Sequence, residues 1–267
     1  MAERTRLGVL GWPVGHSRSP AMQNAALAAV GLGDWRYQLL PVAPELFDET
    51  VTALGAAGFR GANVTIPHKR AALELADVAT PRARSIGAAN TLLFDDAGRI
   101  EADNTDAPAL IASLPLDPSG ITALVLGAGG SARAAVWALL DAGAAEVRVW
   151  NRTPRRAQQL CEELGARPVN RAEPADLLVN CTSSGLDAAD TTLKQLPIEA
   201  DQLDKYECVV DFVYIDSGTP LARAARKRSI PVIDGFELLV GQGALSFERF
   251  TGRSAPVAAM RAAARAG

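Results

Sequence analysis

The chain has 267 residues, 48% of them hydrophobic, and a formal net charge of −3. That length is enough for one large domain or two smaller ones, each with its own core. A nearly neutral charge argues against a nucleic-acid or anionic-membrane partner, and no apolar run approaches the length of a membrane span. The N-terminal residues lead directly into a short apolar strand rather than a secretory signal, so we expect a cytoplasmic protein.

Short apolar runs alternate with alanine-rich helical stretches along the chain. In the first half we predict strands over residues 7–10, 37–41, 61–66 and 91–94, and helices over 20–30, 45–57 and 69–76. In the second half we predict strands over 121–126, 146–150, 177–180, 209–212 and 231–233, with helices such as 131–142 and 154–164 between them. This alternation is typical of α/β proteins with parallel sheets and helices on both faces. Turn formers cluster at 114–120, the boundary that composition favours, and the chain is helical from residue 237 on.

The few cysteines and histidines do not favour a metal site or a disulfide framework. Cys161, Cys181 and Cys208 have no CxxC spacing, so we expect buried free thiols in a reducing compartment. Two histidines, His16 and His68, are too few for a histidine-rich metal site and are expected to pack or to cap helices. We therefore predict that no metal is bound.

One lysine is a candidate acid/base group. The chain has four lysines against 23 arginines, and one of the four, Lys69, ends the segment GANVTIPHK at 61–69. A guanidinium stays protonated at any working pH, whereas an ammonium can exchange a proton with a substrate. The alternative is that Lys69 is an ordinary cation on a surface helix.

A glycine-rich turn predicts a dinucleotide site. The apolar strand at 123–126 runs into GAGGSARA at 127–134 and then into a helix. Gly127 permits the tight turn, Gly129 lets the backbone approach the phosphates, and Ala132 takes the place of the third glycine of GxGxxG. The start of the helix offers free N–H groups to the pyrophosphate. The residues predicted to line this turn are Gly127, Ala128, Gly129, Gly130 and Ser131.

The end of the next strand favours NADP over NAD. An NAD site has an acidic residue there, about twenty residues past the glycines, to bind the ribose hydroxyls. This chain has Asn151 followed by Arg152, which suits a 2′-phosphate, with Thr153 and Arg156 assisting. The alternative, an exposed helix that merely begins with arginines, would set cations against the helix dipole.

Small polar residues at predicted strand ends indicate a second pocket. Ser17 and Ser19 point to the same side of an extended chain, and Ser19 is also a suitable N-cap for a helix whose first residue is Pro20. Asn63 and Thr65 alternate with two β-branched residues and therefore share one face. Further polar groups follow at 90–91 and 103–106. Hydroxyls, amides, a carboxylate and a lysine together suit a small polyhydroxylated acid.

These motifs, in this order, resemble the shikimate dehydrogenase family. The resemblance runs nearly from end to end, and several ordered motifs at compatible separations are more specific than any one of them. The motifs are HSRSP (16–20), GANVTIPHK (61–69), GAANT (87–91), DNTD (103–106), GAGG (127–130), NRT (151–153), NCTSSG (180–185) and GFELLVGQ (235–242).

The resemblance implies a fold, a reaction and a set of site residues. The fold would be an α/β substrate domain over 1–106, a Rossmann-type NADP(H) domain over 107–236, and a C-terminal helical segment of about 237–267 that returns to the first domain. The reaction would be the reversible NADPH-dependent reduction of 3-dehydroshikimate to shikimate, with Lys69 and Asp106 as the catalytic pair. The implied substrate contacts are Ser17, Ser19, Asn63, Thr65, Lys69, Asn90, Asp106, Tyr214 and Gln242. The implied cofactor contacts beyond the turn are Thr182, Phe212 and Gly235, the last two near the nicotinamide.

The chain departs from the usual family pattern in places, and other functions stay open. Ala107, Pro108 and Asp216 differ from that pattern without removing a functional side chain. A quinate/shikimate dehydrogenase of broader specificity shares the fold, although such relatives often use NAD. Methylenetetrahydrofolate dehydrogenase shares the two-domain layout, but the two serines and the segment at 61–69 do not fit it. A non-catalytic NADP-binding regulatory protein is the alternative outside enzymes. The protein is expected to be a monomer or a homodimer.

Overall fold

A computed structural model of the protein describes residues 5–184 and 192–266, so Gly185, the last residue of the NCTSSG motif, lies outside the described residues. The chain divides into two compact units, one formed by Met1–Asp106 with Leu239–Gly267 and the other by Ala107–Leu238. Among the described helices, none combines the length and the apolar character needed to cross a bilayer.

The described residues form two six-stranded sheets with helices between the strands. The strands are β1 (Arg6–Gly11), β2 (Arg36–Pro41), β3 (Phe59–Val64), β4 (Val78–Ala79), β5 (Thr91–Phe94), β6 (Ile100–Asp103), β7 (Thr122–Leu126), β8 (Glu146–Trp150), β9 (Arg167–Pro168), β10 (Leu177–Asn180), β11 (Cys208–Asp211) and β12 (Val232–Ile233). The helices are α1 (Ser19–Ala29), α2 (Phe47–Leu54), α3 (Lys69–Glu74), α4 (Pro81–Ile86), α5 (Asp106–Ser113), α6 (Gly130–Asp141), α7 (Pro154–Leu164), α8 (Thr192–Gln195), α9 (Pro220–Lys227), α10 (Gly235–Thr251) and α11 (Val257–Ala266). Short 3₁₀ turns cover Pro44–Leu46 and Ala200–Lys205.

The sheet of the first unit is mixed, with strand order β2-β1-β3-β5-β6-β4. The strands β1, β2 and β3 pair in parallel, but β5 is antiparallel to both β3 and β6. The predicted parallel pairing therefore holds for β1, β2 and β3 but not for β5. The prediction missed β6, because half of that four-residue strand is acidic and only a tight turn separates it from β5.

A glycine lets the C-terminal helix α10 approach the sheet of the first unit closely. A Cβ atom at Gly61 in β3 would lie 2.5 Å from the ring of Phe250, which is fully buried. The other C-terminal helix, α11, packs against α1. The end of the chain thus packs against β3 and α1 of the first unit.

The second unit is a parallel sheet with strand order β12-β11-β10-β7-β8-β9. Counted from β7 as the first strand, this is the order 3-2-1-4-5-6 of doubly wound dinucleotide-binding folds. Every residue of β10 and β11 is buried, as expected for central strands covered on both faces. The predicted α/β class with a Rossmann-type second half is confirmed.

The boundary between the units does not lie at the turn-rich segment 114–120. The division falls between Asp106 and Ala107, so all of α5 after its first residue belongs to the second unit. Leu110 of α5 is fully buried in a cluster with Val125 of β7, and Leu114 packs against the same cluster. The placement at 114–120 was therefore wrong, because composition marks a turn and does not show on which side of it a helix is packed.

Candidate functional site

A buried ion pair joins two helix starts in the first unit. Lys69 is the first residue of α3, shortly after β3, and Asp106 is the first residue of α5, after β6. The Nζ atom of Lys69 lies 2.6 Å from Oδ2 of Asp106, with side chains only 10% and 7% exposed. Oδ1 of Asp106 accepts a hydrogen bond of 2.8 Å from Nδ2 of Asn90. Both carboxylate oxygens are thus engaged, and the pair is fixed where water has little access.

The residue before Lys69 anchors the start of α3. His68 is buried, and its ring stacks on that of Phe47 with centroids 4.4 Å apart. Its Nε2 lies 2.7 Å from the carbonyl oxygen of Val42, which places the ring proton on that nitrogen if the imidazole is neutral. Burial lowers the pKa of His68, although the bond to Val42 opposes that shift. His68 therefore packs, as predicted, and holds the backbone from which Lys69 projects.

Asn90 connects the ion pair to a wider polar network. Its Oδ1 accepts from the backbone N–H of Thr105 at 2.8 Å and from the hydroxyl of Thr91 at 3.0 Å. Its Nδ2 donates to Thr105 Oγ1 at 3.0 Å as well as to Asp106, and lies 3.5 Å from Oε1 of Gln242. An amide with this many partners has a single allowed orientation. Of these residues, Thr91 and Thr105 were expected as polar groups of the pocket but were not among the implied substrate contacts.

The two serines and Thr65 follow β1 and β3, which are neighbouring parallel strands, so they lie at the same edge of the sheet. Ser19 is the first residue of α1 rather than its N-cap, and no side chain caps that helix. The predicted N-cap was therefore wrong. Instead, Oγ of Ser17 accepts from the N–H of Ser19 at 3.3 Å. A Cβ at Gly11 would lie 2.5 Å from Cγ2 of Thr65, so this glycine lets the methyl group pack inward.

The remaining predicted substrate residues lie in different units. Gln242 belongs to the first unit, and its Nε2 donates to the carbonyl oxygen of Leu239 at 2.9 Å. Tyr214 belongs to the second unit, where its ring is tilted by 45° against Phe236 with centroids 5.2 Å apart. The first unit therefore holds eight of the nine predicted substrate residues, namely Ser17, Ser19, Asn63, Thr65, Lys69, Asn90, Asp106 and Gln242.

The glycine turn of the second unit has the geometry of a phosphate-binding loop. Gly127 has φ of +113°, and a Cβ there would lie 3.1 Å from the backbone carbon of Cys181. Gly129 is the N-cap of α6, and a Cβ there would meet nothing within 4 Å. Ala132 is fully buried, in the close-packing role of the third glycine. The turn runs from β7, beside β10 at the point where strand order reverses, which is where doubly wound sheets bind ligands.

Three exposed arginines follow the end of β8. Thr153 is the N-cap of α7, whose first turn contains no acidic residue, and Nδ2 of Asn151 donates to the carbonyl oxygen of Thr153 at 2.9 Å. Arg152, Arg155 and Arg156 are all exposed. Three cations and a helix N-terminus together make a strongly positive surface. The arrangement suits a phosphate with two negative charges.

Comparison with known proteins places the chain in a family. Profiles described as the shikimate dehydrogenase substrate binding domain, shikimate/quinate 5-dehydrogenase, and the shikimate 5'-dehydrogenase C-terminal domain match residues 9–92, 112–191 and 235–265. A shikimate dehydrogenase (NADP(+)) of Paracoccus denitrificans is 44% identical, over 92% of this chain and 90% of its own. Another, of Anaeromyxobacter sp. strain Fw109-5, is 47% identical, over 97% and 96%. The chain belongs to the shikimate dehydrogenase family.

A solved structure of a family member supports the fold as a whole. The crystal structure of shikimate 5-dehydrogenase from Thermus thermophilus, in complex with NADP(H) and shikimate, superimposes with a TM-score of 0.86. It is 40% identical, and the match covers 98% of each chain. The resemblance drawn from the motifs is therefore confirmed at the level of the family.

The structure also contains a buried carboxylate for which the sequence assigned no role. Asp211, the last residue of β11, is fully buried and accepts from Asn180 at 2.9 Å, from the N–H of Val213 at 3.1 Å and from Thr219 at 2.5 Å. Burial raises its pKa to about 6, and the hydrogen bonds partly oppose that rise. Oδ1 of Asn180 in turn accepts from the hydroxyl of Thr182 at 2.8 Å. This hydrogen-bonded chain links two loops at the carboxyl edge of the second sheet.

Two predicted cofactor residues lie close to Asp211. Phe212 is the next residue in the chain, and Gly235 comes two residues after β12, the strand that pairs with β11. The N–H of Phe212 donates to the carbonyl oxygen of Asn180 at 2.9 Å. A Cβ at Gly235 would lie 2.6 Å from the backbone carbon of Val213 and 2.8 Å from the carbonyl oxygen of Phe212. Only glycine permits this approach, so the start of α10 is pressed against the segment after β11.

Asp103, the other acid of the DNTD motif, binds Arg82 and Thr80 rather than Lys69. Asp103 is 1% exposed and binds Arg82 through both oxygens, at 2.9 and 2.8 Å. It also accepts from the hydroxyl of Thr80, the N-cap of α4, at 2.7 Å. Asp103 thus ties α4 to β6, whereas Asp106 of the same motif faces Lys69. Local sequence does not distinguish the two acids, because their partners are 21 and 37 residues away.

Proposed function

We propose that this protein is an NADP-dependent shikimate dehydrogenase that reversibly reduces 3-dehydroshikimate to shikimate. The observation that carries the proposal is the buried Lys69–Asp106 pair, 2.6 Å apart and held by Asn90 among hydroxyl and amide groups. A lysine and a carboxylate fixed in this way can exchange a proton with a ring oxygen. The family membership and the doubly wound second unit support the same reading.

Lys69 is the proposed general acid for the reduction and the general base for the oxidation. NADPH, when bound, supplies the hydride that adds to the ketone carbon, and its oxidation accounts for the two electrons. The carbonyl oxygen gains negative charge as its π bond breaks, and Nζ of Lys69 donates the proton that makes the hydroxyl. Asp106 orients the ammonium through Oδ2 and keeps Oδ1 toward Asn90. A placed proton donor contributes about 10²–10⁴-fold in rate.

The first unit is the proposed substrate domain and the second the proposed cofactor domain. Ser17 and Ser19 would bind the substrate carboxylate, and the remaining predicted polar residues would contact its ring hydroxyls. The glycine turn would hold the pyrophosphate at the N-terminus of α6. Arg152, with Thr153 and Arg156, would bind the 2′-phosphate, while Thr182, Phe212 and Gly235 would line the nicotinamide side. We further propose a cytoplasmic protein that acts as a monomer or a homodimer.

The experiment that tests this function crosses two acids with two cofactors. Initial rates of cofactor reduction are measured with shikimate or quinate and with NADP⁺ or NAD⁺. We expect turnover of shikimate with NADP⁺, because Asn151 stands where an NAD enzyme has an acidic residue and Arg152 follows it. Comparable rates with quinate would instead assign the broader quinate/shikimate activity. Cofactor binding without turnover of either acid would favour a non-catalytic NADP-binding protein.

A further inference from the structure

A buried tyrosine reaches the substrate site of the first unit from two strands away. Tyr37 in β2 is 1% exposed, and its hydroxyl donates to Oδ1 of Asn63 in β3 at 2.8 Å. In the strand register, Leu7 of β1 stands opposite both Tyr37 and Gly61. Tyr37 and Asn63 therefore lie on the same face of the sheet, with β1 between them. A side chain as long as tyrosine is needed to cross the two strand spacings, about 10 Å.

The backbone of Tyr37 is itself held in place. The side chain of Asn24 in α1 accepts from the N–H of Tyr37 at 2.9 Å and donates to its carbonyl oxygen at 2.8 Å. Because β2 is at the edge of the sheet, the side-chain amide of Asn24 forms the backbone hydrogen bonds that a further strand would form. The phenol thus projects from a fixed point. A tyrosine that only filled space would not need its hydroxyl, since burying an unpaired hydroxyl is unfavourable.

The amide of Asn63 has one stable orientation. Its Nδ2 donates to the carbonyl oxygen of Asn90 and to Oγ1 of Thr91, both at 3.2 Å. The hydroxyl of Ser246 in α10 also lies 3.3 Å from Oδ1. Turning the amide over would set Oδ1 against the carbonyl oxygen of Asn90, where two acceptors repel each other. The phenol of Tyr37 stabilises the favoured orientation from the other side. The hydroxyl of Ser246 contributes less, because it shares its one proton between Oδ1 of Asn63 and the carbonyl oxygen of Gly243, which lies 3.1 Å away.

We propose that Tyr37 is a positioning residue for the substrate site, holding the amide of Asn63 and through it the backbone of Asn90. The side chain of Asn90 donates to Asp106, which binds Lys69, so the chain of contacts runs from β2 to the catalytic pair. This proposal rests on the proposed function, because it concerns binding of the substrate's ring hydroxyls. These hydrogen bonds hold the amides of Asn63 and Asn90 in place before substrate binds. Less free energy is therefore lost on ordering them when it does.

The test is the substitution Tyr37→Phe, which removes one oxygen and leaves the ring. We expect KM for shikimate to rise about threefold to tenfold, the range of one hydrogen bond, with Kd for NADP⁺ unchanged. The matched control is Tyr206→Phe in the second unit. Tyr206 is 4% exposed, and its hydroxyl donates to a backbone carbonyl at 3.0 Å. Loss of stability alone would lower the active fraction in both variants and would leave KM unchanged.

Ser246→Ala provides an independent arm, because it removes the second hydroxyl from the same oxygen. It should also raise KM for shikimate, by a smaller factor than Tyr37→Phe, because Ser246 also donates to Gly243. Combined with Tyr37→Phe, it should raise KM by a factor that differs from the product of the two single effects, as expected for residues that share a partner. A KM within twofold of wild type in the Tyr37→Phe enzyme, or an equal weakening of NADP⁺ binding, would overturn the proposal. If Tyr37→Phe fails to fold, an unchanged KM for shikimate in Ser246→Ala would overturn the proposal. A wild-type protein that does not oxidise shikimate rejects the proposed function instead.

Discussion

Replacing Lys69 by arginine separates proton transfer from charge. Arginine keeps a cation opposite Asp106 but cannot release its proton at working pH. If Lys69 is the acid/base group, kcat for shikimate oxidation should fall by about 10²–10⁴-fold, equivalent to about 3–5 kcal/mol of barrier. Kd for NADP⁺ should stay near the wild-type value. The assay is initial-rate NADPH formation, with cofactor binding followed by fluorescence titration.

Two further variants separate activity from stability. In Lys69→Met the carboxylate of Asp106 stays buried without its cation, which costs about 3–5 kcal/mol of unfolding free energy for a buried pair. Adding Asp106→Asn removes the unpaired charge, so the double variant should regain most of that stability, measured by chemical denaturation. Neither variant should regain turnover. A Lys69→Arg enzyme that keeps more than about a tenth of wild-type kcat would refute the assignment of Lys69 as the proton donor.

The remaining predictions concern the second unit. Arg152→Ala should weaken NADP⁺ binding by about 10–100-fold, the contribution of one charge-assisted hydrogen bond, and leave NAD⁺ binding unchanged. The control is Arg171→Ala, which replaces another exposed arginine and should change the binding of neither cofactor. Equal losses for both cofactors in Arg152→Ala would exclude a 2′-phosphate contact. Asp211 has a folded pKa of about 6 against 3.8 unfolded, so its contribution to stability is fully present below pH 3.8 and is lost as pH rises through about 6, by about 3 kcal/mol. Relative to wild type, Asp211→Asn should therefore be more stable at pH 8 than at pH 5 in urea unfolding, and a pH-independent difference would contradict the raised pKa.

Much of this protein could be predicted from the sequence, where local chemistry decides the outcome. The turn after β7 needs glycine at 127 because φ is +113° there, and the predicted preference for NADP rests on the residues that follow β8. The alternation of apolar runs was sufficient for the α/β class, since side-chain periodicity follows directly from strand and helix geometry. Lys69 stood out because arginine is used almost everywhere else that a cation occurs.

Other features depended on tertiary structure, because the groups involved are far apart in the sequence. Lys69 and Asp106 are 37 residues apart, and Tyr37 and Asn63 are 26 apart and on non-adjacent strands. The same sequence pattern allowed Ser19 as an N-cap, whereas in the structure it is the first residue of α1. Propensity and periodicity describe neighbours along the chain. The family resemblance named Asp106 as the partner of Lys69, but only the folded sheet shows why this acid, and not Asp103, meets the lysine, and which buried hydroxyl orients the amide beside it.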